Sequence, residues 1–338
     1  MTILVYTDAA FGHHDAGLGH PERPERLLAV QAGEEASGVV DAVVHLTPPE
    51  APSEALEAVH TSEYLVSLRR FCEEGGGRLD ADTVAGPASW QAAAMAAGSG
   101  LDAVRQLRRG NGDAAFCAVR PPGHHAEPAR AMGFCLLNNV AVAATSLVGS
   151  GERVVVFDYD AHHGNGTQDI FYQDPRVLFV SWHQFPLYPG TGAAHEVGEG
   201  SGLGTTVNLP LPAGATGDHY RQSIEEVVAP VVEEFEPTWM LVSLGFDAHR
   251  SDPLTHLGLT SGDYGDIAAD LLSFAPPGRR VLFLEGGYDL QAITDCTAAT
   301  LAALEGERLH PEQPSAGGPG EEIIPVVKGL RHRLVGDR

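Results

Sequence analysis

A chain of 338 residues that is 43% hydrophobic can bury a sizeable α/β core, and no apolar run in it nears the ~20 residues a membrane-spanning helix needs. Its formal net charge of -24, with Lys328 as the only lysine, repels phosphate backbones and argues against direct nucleic-acid binding. Four scattered cysteines (Cys72, Cys117, Cys135 and Cys296) form no C-x-x-C pair, which argues against a disulfide framework and a thiolate zinc site and leaves buried reduced thiols.

The first residues, Met1 to Asp8, read as a strand (Ile3–Tyr6) rather than a secretory signal, which places the chain in the cytoplasm. Further strands are predicted at Ala42–Leu46, Ala114–Val119, Arg153–Asp158, Val177–Trp182, Thr238–Leu244 and Arg280–Glu285. Helical stretches such as Pro87–Leu107, Asn138–Val148, Gly217–Glu234 and Ser261–Phe274 alternate with them. Runs such as VVVFD, VLFVS, WMLVS and VLFLE are continuously apolar, the pattern of strands covered by helices on both faces. The expectation is an α/β fold with a mostly parallel central sheet. Gly75–Gly77, Tyr188–Gly204 and Ser315–Gly320 read as loops. The last tethers a short C-terminal helix, Ile323–Leu334, so residues 1–338 read as one domain with about 304–338 as an extension.

Ligands in an open parallel sheet bind beyond the carboxyl ends of the strands, and four of these strands end in polar clusters. The strand Arg153–Asp158 runs into DYDAHHGNG, where Asp160 and His162, two apart, share a face of an extended chain. The strand ending at Leu244 delivers GFDAH and with it Asp247. Two carboxylates and one imidazole are a catalytic zinc set that leaves a position open for water. The run RPPGHH (Arg120–His125) offers adjacent imidazoles suited to proton transfer, with Asp158 and Asn165 as orienting partners. EGGYD (Glu285–Asp289) adds a phenol, Tyr288, able to donate to a developing oxyanion, beside glycines such as Gly286 that permit close backbone approach. The glycine-rich stretch Gly198–Gly204 follows no clear strand and opens no helix, so it is not a nucleotide loop.

These motifs together resemble the histone deacetylase superfamily, which includes acetylpolyamine amidohydrolases and acetoin-utilisation proteins. GHPERPERL (Gly19–Leu27), RPPGHHA (Arg120–Ala126), GFCLLNNVAVAA (Gly133–Ala144), DYDAHHGNGTQDIF (Asp158–Phe171), LGFDAHRSDPL (Leu244–Leu254) and EGGYDL (Glu285–Leu290) follow in the family's order. The resemblance implies an arginase–deacetylase fold with a narrow tunnel to one Zn2+ held by Asp160, His162 and Asp247. It implies His125 as general base and acid, His124 as its electrostatic partner, Asp158 orienting His124, Asn165 pairing with His125, and Tyr288 polarising the acyl carbonyl. Asparagine at 165 resembles the class II branch. Phe134, following Gly133, and Tyr188 look like tunnel walls, and Asp82 resembles the rim carboxylate that holds substrate amides. Structural K+ or Na+ is implied at an inner site (Asp158, Asp160, His162, Ser181, Trp182) and an outer one (Phe171, Asp174, Val177).

The expected activity is zinc-dependent hydrolysis of a linear N-acyl amide, chiefly acetyl. Leu254 stands where polyamine-selective relatives tend to carry glutamate, and the stretch between Cys72 and Pro87 is short. Both favour an open-mouthed, monomer-compatible site for acetyl-lysine in proteins or peptides; an acetylpolyamine or other small acetylated amine is the alternative substrate. Two other classes are a catalytically silent acyl-ligand binder and a two-manganese ureohydrolase on the same fold. The His-His pair and Tyr288 suit a single zinc rather than the latter.

Overall fold

The computed structural model describes residues 1–336; Asp337 and Arg338, the end of the expected extension, lie outside them. Ten strands form: β1 (Ile3–Tyr6), β2 (Val43–Leu46), β3 (Gly77–Arg78), β4 (Val84–Ala85), β5 (Ala114–Cys117), β6 (Val154–Asp158), β7 (Val177–Gln184), β8 (Thr206–Leu211), β9 (Trp239–Leu244) and β10 (Arg280–Leu284). Eight of them build one sheet in the order β2-β1-β5-β10-β9-β6-β7-β8, every pairing parallel. The remaining two, β3 and β4, make a small antiparallel pair.

Because side chains alternate across a strand, the apolar runs divide between two cores. Val155 and Phe157 face one with Ile3, Val5, Leu178 and Val242, whereas Val154 and Val156 face the other with Leu4, Tyr6, Phe179 and Leu241. Helices Ser62–Glu73, Ser89–Arg108 and Asn139–Gly149 cover the second face. The first is covered by Glu25–Ala36, the helical stretch from Gly217 to Phe235, Ser261–Leu271, Leu290–Glu305 and the C-terminal helix Ile323–Gly336. Ile324 and Val327 of that last helix are buried in the core, so the extension packs as part of the fold.

Strand β8, the β3–β4 pair and the helix after Gly217 differ from the sequence reading, β3 beginning at Gly77 in a stretch read as a loop. Strand β8 is not among the predicted strands, and its TVNLPL carries Pro210, a residue unsuited to a strand interior. It sits at the sheet edge, paired only with β7, where a missing N–H costs no ladder bond. The stretch expected as one helix over Gly217–Glu234 is instead α-helical, then π-helical at Ile224–Val228, then α-helical again. Pro230 sits at the start of the last piece and cannot donate to the carbonyl one turn back, so the hydrogen-bond register widens just ahead of it.

No helix among the described residues is long and apolar enough to cross a membrane. All four cysteines are buried and free.

Candidate active site

The strand order brings the polar clusters together. Strands β5, β10, β9 and β6 are consecutive in the sheet, so the segments following them, which carry His124/His125, Tyr288, Asp247 and Asp160/His162, project from its middle at one end. Chain order alone separates β6 from β9 and β10; their insertion between β5 and β6 creates the site.

Asp160, His162 and Asp247 each present a ligand atom within 4.8 Å of the others, all buried. His162 Nδ1 lies 3.2 Å from Asp160 Oδ1 and 3.0 Å from Asp247 Oδ2. The chain is not extended here, as the two-residue spacing had suggested. It bends after β6, and Asp160 Oδ1 accepts the backbone N–H of His162 at 2.8 Å. Backbone donors fix the carboxylates: Gly286 N–H donates to Asp160 Oδ2 at 2.7 Å and Ala161 N–H to Asp247 Oδ1 at 2.7 Å. A Cβ on Gly286 would stand 2.2 Å from Asp247 Oδ2 and 2.6 Å from Asp160 Oδ2, so only glycine lets this backbone close over the pair.

Burial disfavours charge on the His162 ring, but its bonds to Asp160 and Asp247 outweigh that and push its pKa to about 10. Burial also opposes ionisation of Asp160, yet the facing His124 and His162 rings hold it below the usual carboxylate range. Asp247 is raised, by burial and then by the Asp160 charge. Two buried carboxylates sharing one imidazolium leave a net negative charge away from water, which is costly without a further cation. One nitrogen and two oxygen donors, the carboxylates held by backbone N–H groups, fit a small divalent ion.

The two imidazoles of the RPPGHH run are pulled apart electrostatically. His124 Nδ1 meets Asp158 Oδ2 at 3.0 Å, and His124 Nε2 stands 3.7 Å from Asp160 Oδ1. Burial disfavours the charged ring, but Asp158 and then Asp160 hold His124 well above the usual histidine value. Asp158 itself is raised to about 6, chiefly by burial. His125 is held well below the usual value, by burial and then by the His124 and His162 charges. His125 Nδ1 lies 2.8 Å from Asn165 Oδ1, and the Asn165 amide donates to Glu127 Oε1 at 2.9 Å. With the amide nitrogen so engaged, Oδ1 can only accept, which puts the His125 proton on Nδ1 and a lone pair on Nε2.

Aromatic rings line the approach. Tyr188, 37% exposed, stands edge-on to His125 at 5.3 Å and to His162 at 6.3 Å between ring centroids. Phe134 meets Tyr288 at 5.8 Å and 90°, and meets His20 at 4.7 Å. Gly133 and Phe134 both adopt left-handed backbone, φ 55° and 67°, to turn this segment against His125. Asp82, half-buried, offers its carbonyl to His20 Nε2 at 3.0 Å and its carboxylate to the Thr83 hydroxyl at 3.3 Å. Leu254 is 37% exposed, its N–H bonded to Asp252 Oδ1. The Tyr288 phenol is raised well above its usual value by burial, against the Arg26 guanidinium 5.1 Å from its ring centroid, with Asp247 and Asp160 adding to the rise.

The residues named for monovalent cations divide. Asp158 and Ser181 are cross-strand neighbours, and Asp160 N–H donates to Asp158 Oδ1 at 3.2 Å, so the inner group is contiguous. Trp182 is buried behind it, its indole N–H bonded to Ser223. In the outer group, Asp174 N–H donates to the Phe171 carbonyl at 3.0 Å and Val177 N–H to the Asp174 carbonyl at 3.4 Å. The Asp174 carboxylate, however, is taken by the Arg176 guanidinium at 2.6 and 2.8 Å, which leaves only backbone carbonyls for an ion there.

Several supporting residues were given no role from sequence. Glu22, fully buried, pairs with Arg120 through two hydrogen bonds and with Arg26 at 3.2 Å. Arg26 in turn donates to the carbonyls of Glu285 and of Gly287, the latter at 2.6 Å, so the GHPERPERL run braces the Tyr288 segment from beneath. Glu285, raised to about 7 by burial, accepts the backbone N–H groups of Gly123 at 2.6 Å and His124 at 3.1 Å. The acidic residues within these motifs were the only local signal for such roles.

The histone deacetylase domain model matches residues 20–304. A probable deacetylase of Archaeoglobus fulgidus is 42% identical over 313 residues, covering 90% of this chain and 87% of the relative. A histone deacetylase-like amidohydrolase of Pseudomonas aeruginosa is 37% identical over 87% of this chain and 79% of its own. Among solved structures, the HDA15 HD domain superposes with a TM-score of 0.91 at 35% identity, covering 99% of this chain and 96% of that one. With the domain model spanning most of the chain, an eight-stranded parallel sheet and the convergent His, Asp and Tyr clusters, the chain belongs to the histone deacetylase family.

Proposed function

We propose that this protein is a zinc-dependent deacetylase that hydrolyses the N-acetyl amide of lysine in proteins or peptides. The observation that carries the reading is the buried Asp160–His162–Asp247 cluster beside a charged His124 and a neutral His125. A bound metal supplies Lewis acidity and water activation at neutral pH. His125, its Nδ1–H held by Asn165, uses Nε2 to take a proton from the attacking water and then returns it to the departing amine. His124, kept positive by Asp158, stabilises negative charge growing at the acyl oxygen. The Tyr288 phenol, raised far above neutrality, stays protonated and donates to that oxygen. Phe134 and Tyr188 wall the acyl-lysine side chain, and Asp82 at the rim accepts from its backbone. The Asp158–Ser181 group is the proposed seat of a monovalent cation, K+ or Na+, and their cross-strand pairing supports it. Four buried free thiols fit a reducing cytoplasm.

Leu254, 37% exposed, favours a peptide over a polycation, since a leucine offers no charge to a distant ammonium. The direct test compares kcat/KM on an acetyl-lysine peptide and on N-acetylputrescine, with and without a chelator. The peptide is expected to be preferred and the chelator to abolish turnover. A strong preference for N-acetylputrescine moves the substrate to small amines, and chelator-resistant turnover removes the metal.

Two further results are expected. His125 is depressed, so it remains a competent base below pH ~6.5, the ordinary histidine value, and the acid limb of kcat/KM lies beneath that. Replacing Asn165 with aspartate sets a carboxylate on Nδ1 and favours the imidazolium. The acid limb should then move to higher pH by about one unit, as read in a pH-rate profile; an unmoved limb would take His125 out of the base role. Gly133→Ala would set a Cβ 2.3 Å from His125 Cδ2 on a left-handed backbone. Since displacing a reacting group by ~1 Å costs on the order of 10²-fold, kcat should drop by about that with metal content unchanged.

A further inference from the structure

Tyr288 stands in a stretch without regular secondary structure. The strand β10 ends at Leu284 and the next helix starts at Leu290, so no ladder or helical bond aims the phenol. Gly287, at φ 110°, turns the chain there. From elsewhere, Arg26 holds the Gly287 carbonyl of the same peptide unit at 2.6 Å, and Asp252 Oδ2 accepts the Tyr288 N–H itself at 2.9 Å, across 36 residues. The other oxygen, Oδ1, accepts the N–H of Leu254 at 2.8 Å. The second bond is an ordinary local turn, two residues along the chain, and would account for an aspartate by itself. The first is not local and serves Tyr288 alone.

Asp252 is 7% exposed and forms no salt bridge among the described residues, and burial, then the Asp247 charge, disfavours a charge on it. A buried carboxylate without a cation is costly, and a neutral amide in its place would satisfy only one of the two N–H groups. We infer that Asp252 is a positioning residue that holds the Tyr288 backbone so that its phenol meets the acyl oxygen, an inference that rests on the deacetylase reading. The same carboxylate also links the Leu254 backbone to that of Tyr288.

The test is a double-mutant cycle on an acetyl-lysine peptide, comparing wild type, Asp252→Asn, Tyr288→Phe and the double variant, with bound metal and Tm measured for each. Asp252→Asn is expected to lower kcat about tenfold or more with KM and metal content little changed, as for loss of a supporting hydrogen bond. In the Tyr288→Phe background the same substitution should change the residual kcat by less than about twofold, because the hydroxyl it aims is already gone. An equal fold-loss in both backgrounds, or a lowered metal content, would assign Asp252 to the metal site and overturn the inference, as would an unchanged kcat. If Asp252→Asn does not fold, Asp252→Glu keeps both acceptors but displaces them by a methylene and is expected to give the same background dependence. Failure of both variants to fold makes Asp252 a residue of the fold and not of the phenol. A wild type inactive on every acetylated amine sinks the deacetylase reading with it, whereas an active wild type with an insensitive Asp252 sinks the positioning alone.

Discussion

Tyr288→Phe is expected to lower kcat on an acetylated amine by ~10²–10³-fold, the range for removing one oxyanion donor, while the metal content stays at the wild-type value. The phenylalanine ring can keep its edge-on contact with Phe134 and its place under Arg26, neither of which involves the hydroxyl. What is lost is a donor that burial keeps protonated and that sits where the Asp160 and Asp247 charges are felt. A donor of that kind acts in the transition state more than in the bound substrate, so KM should move little. Steady-state kinetics with metal analysis on the same preparation decides the matter. Turnover within a few-fold of wild type would mean that the acyl oxygen is polarised without the phenol, and the silent binder would be no nearer, since activity would persist.

The second large effect is expected at the metal cluster. In His162→Ala, Asp160 and Asp247 face each other in a buried site with neither the imidazole nor its hydrogen bonds to both carboxylates. Asp247 is already raised by burial and by Asp160, so without His162 the pair should hold a proton rather than a divalent ion. Loss of a mere supporting partner in a metal site costs about 10–100-fold, so loss of a ligand should bring activity below roughly a hundredth of wild type. After dialysis the variant should contain far less metal than wild type by elemental analysis. Stoichiometric metal in that variant would place the ion elsewhere and remove the basis of the hydrolytic mechanism.

Much of this was legible from local pattern. The VVVFD, VLFVS, WMLVS and VLFLE runs marked strands buried on both faces, because a strand whose two sides face two cores has no polar phase to show. The histidines, carboxylates and tyrosine stood out because they follow such runs directly, at the end of a parallel sheet where ligands bind. At Asp174 the carboxylate is satisfied by Arg176 two residues on, a pairing within local reach that leaves the backbone carbonyl as the group an outer cation would use. Strand β8 was hidden because a proline is read as a strand breaker, and only a place at the sheet edge makes it harmless.

The partners of buried charges were out of reach. Glu22 and Arg120 lie 98 residues apart, Asp252 and the Tyr288 N–H 36 apart, and Arg26 and the Gly287 carbonyl 261 apart. By itself the sequence determined the kind of sheet, the course of most of its strands and which polar side chains follow them, because these follow from periodicity and chemistry within a dozen residues. Only the tertiary structure decided that β9 and β10 come to lie between β5 and β6, and which carboxylate answers which donor. Those depend on contacts between distant segments, and in a buried site each such pairing is fixed by the cost of leaving a polar group without one.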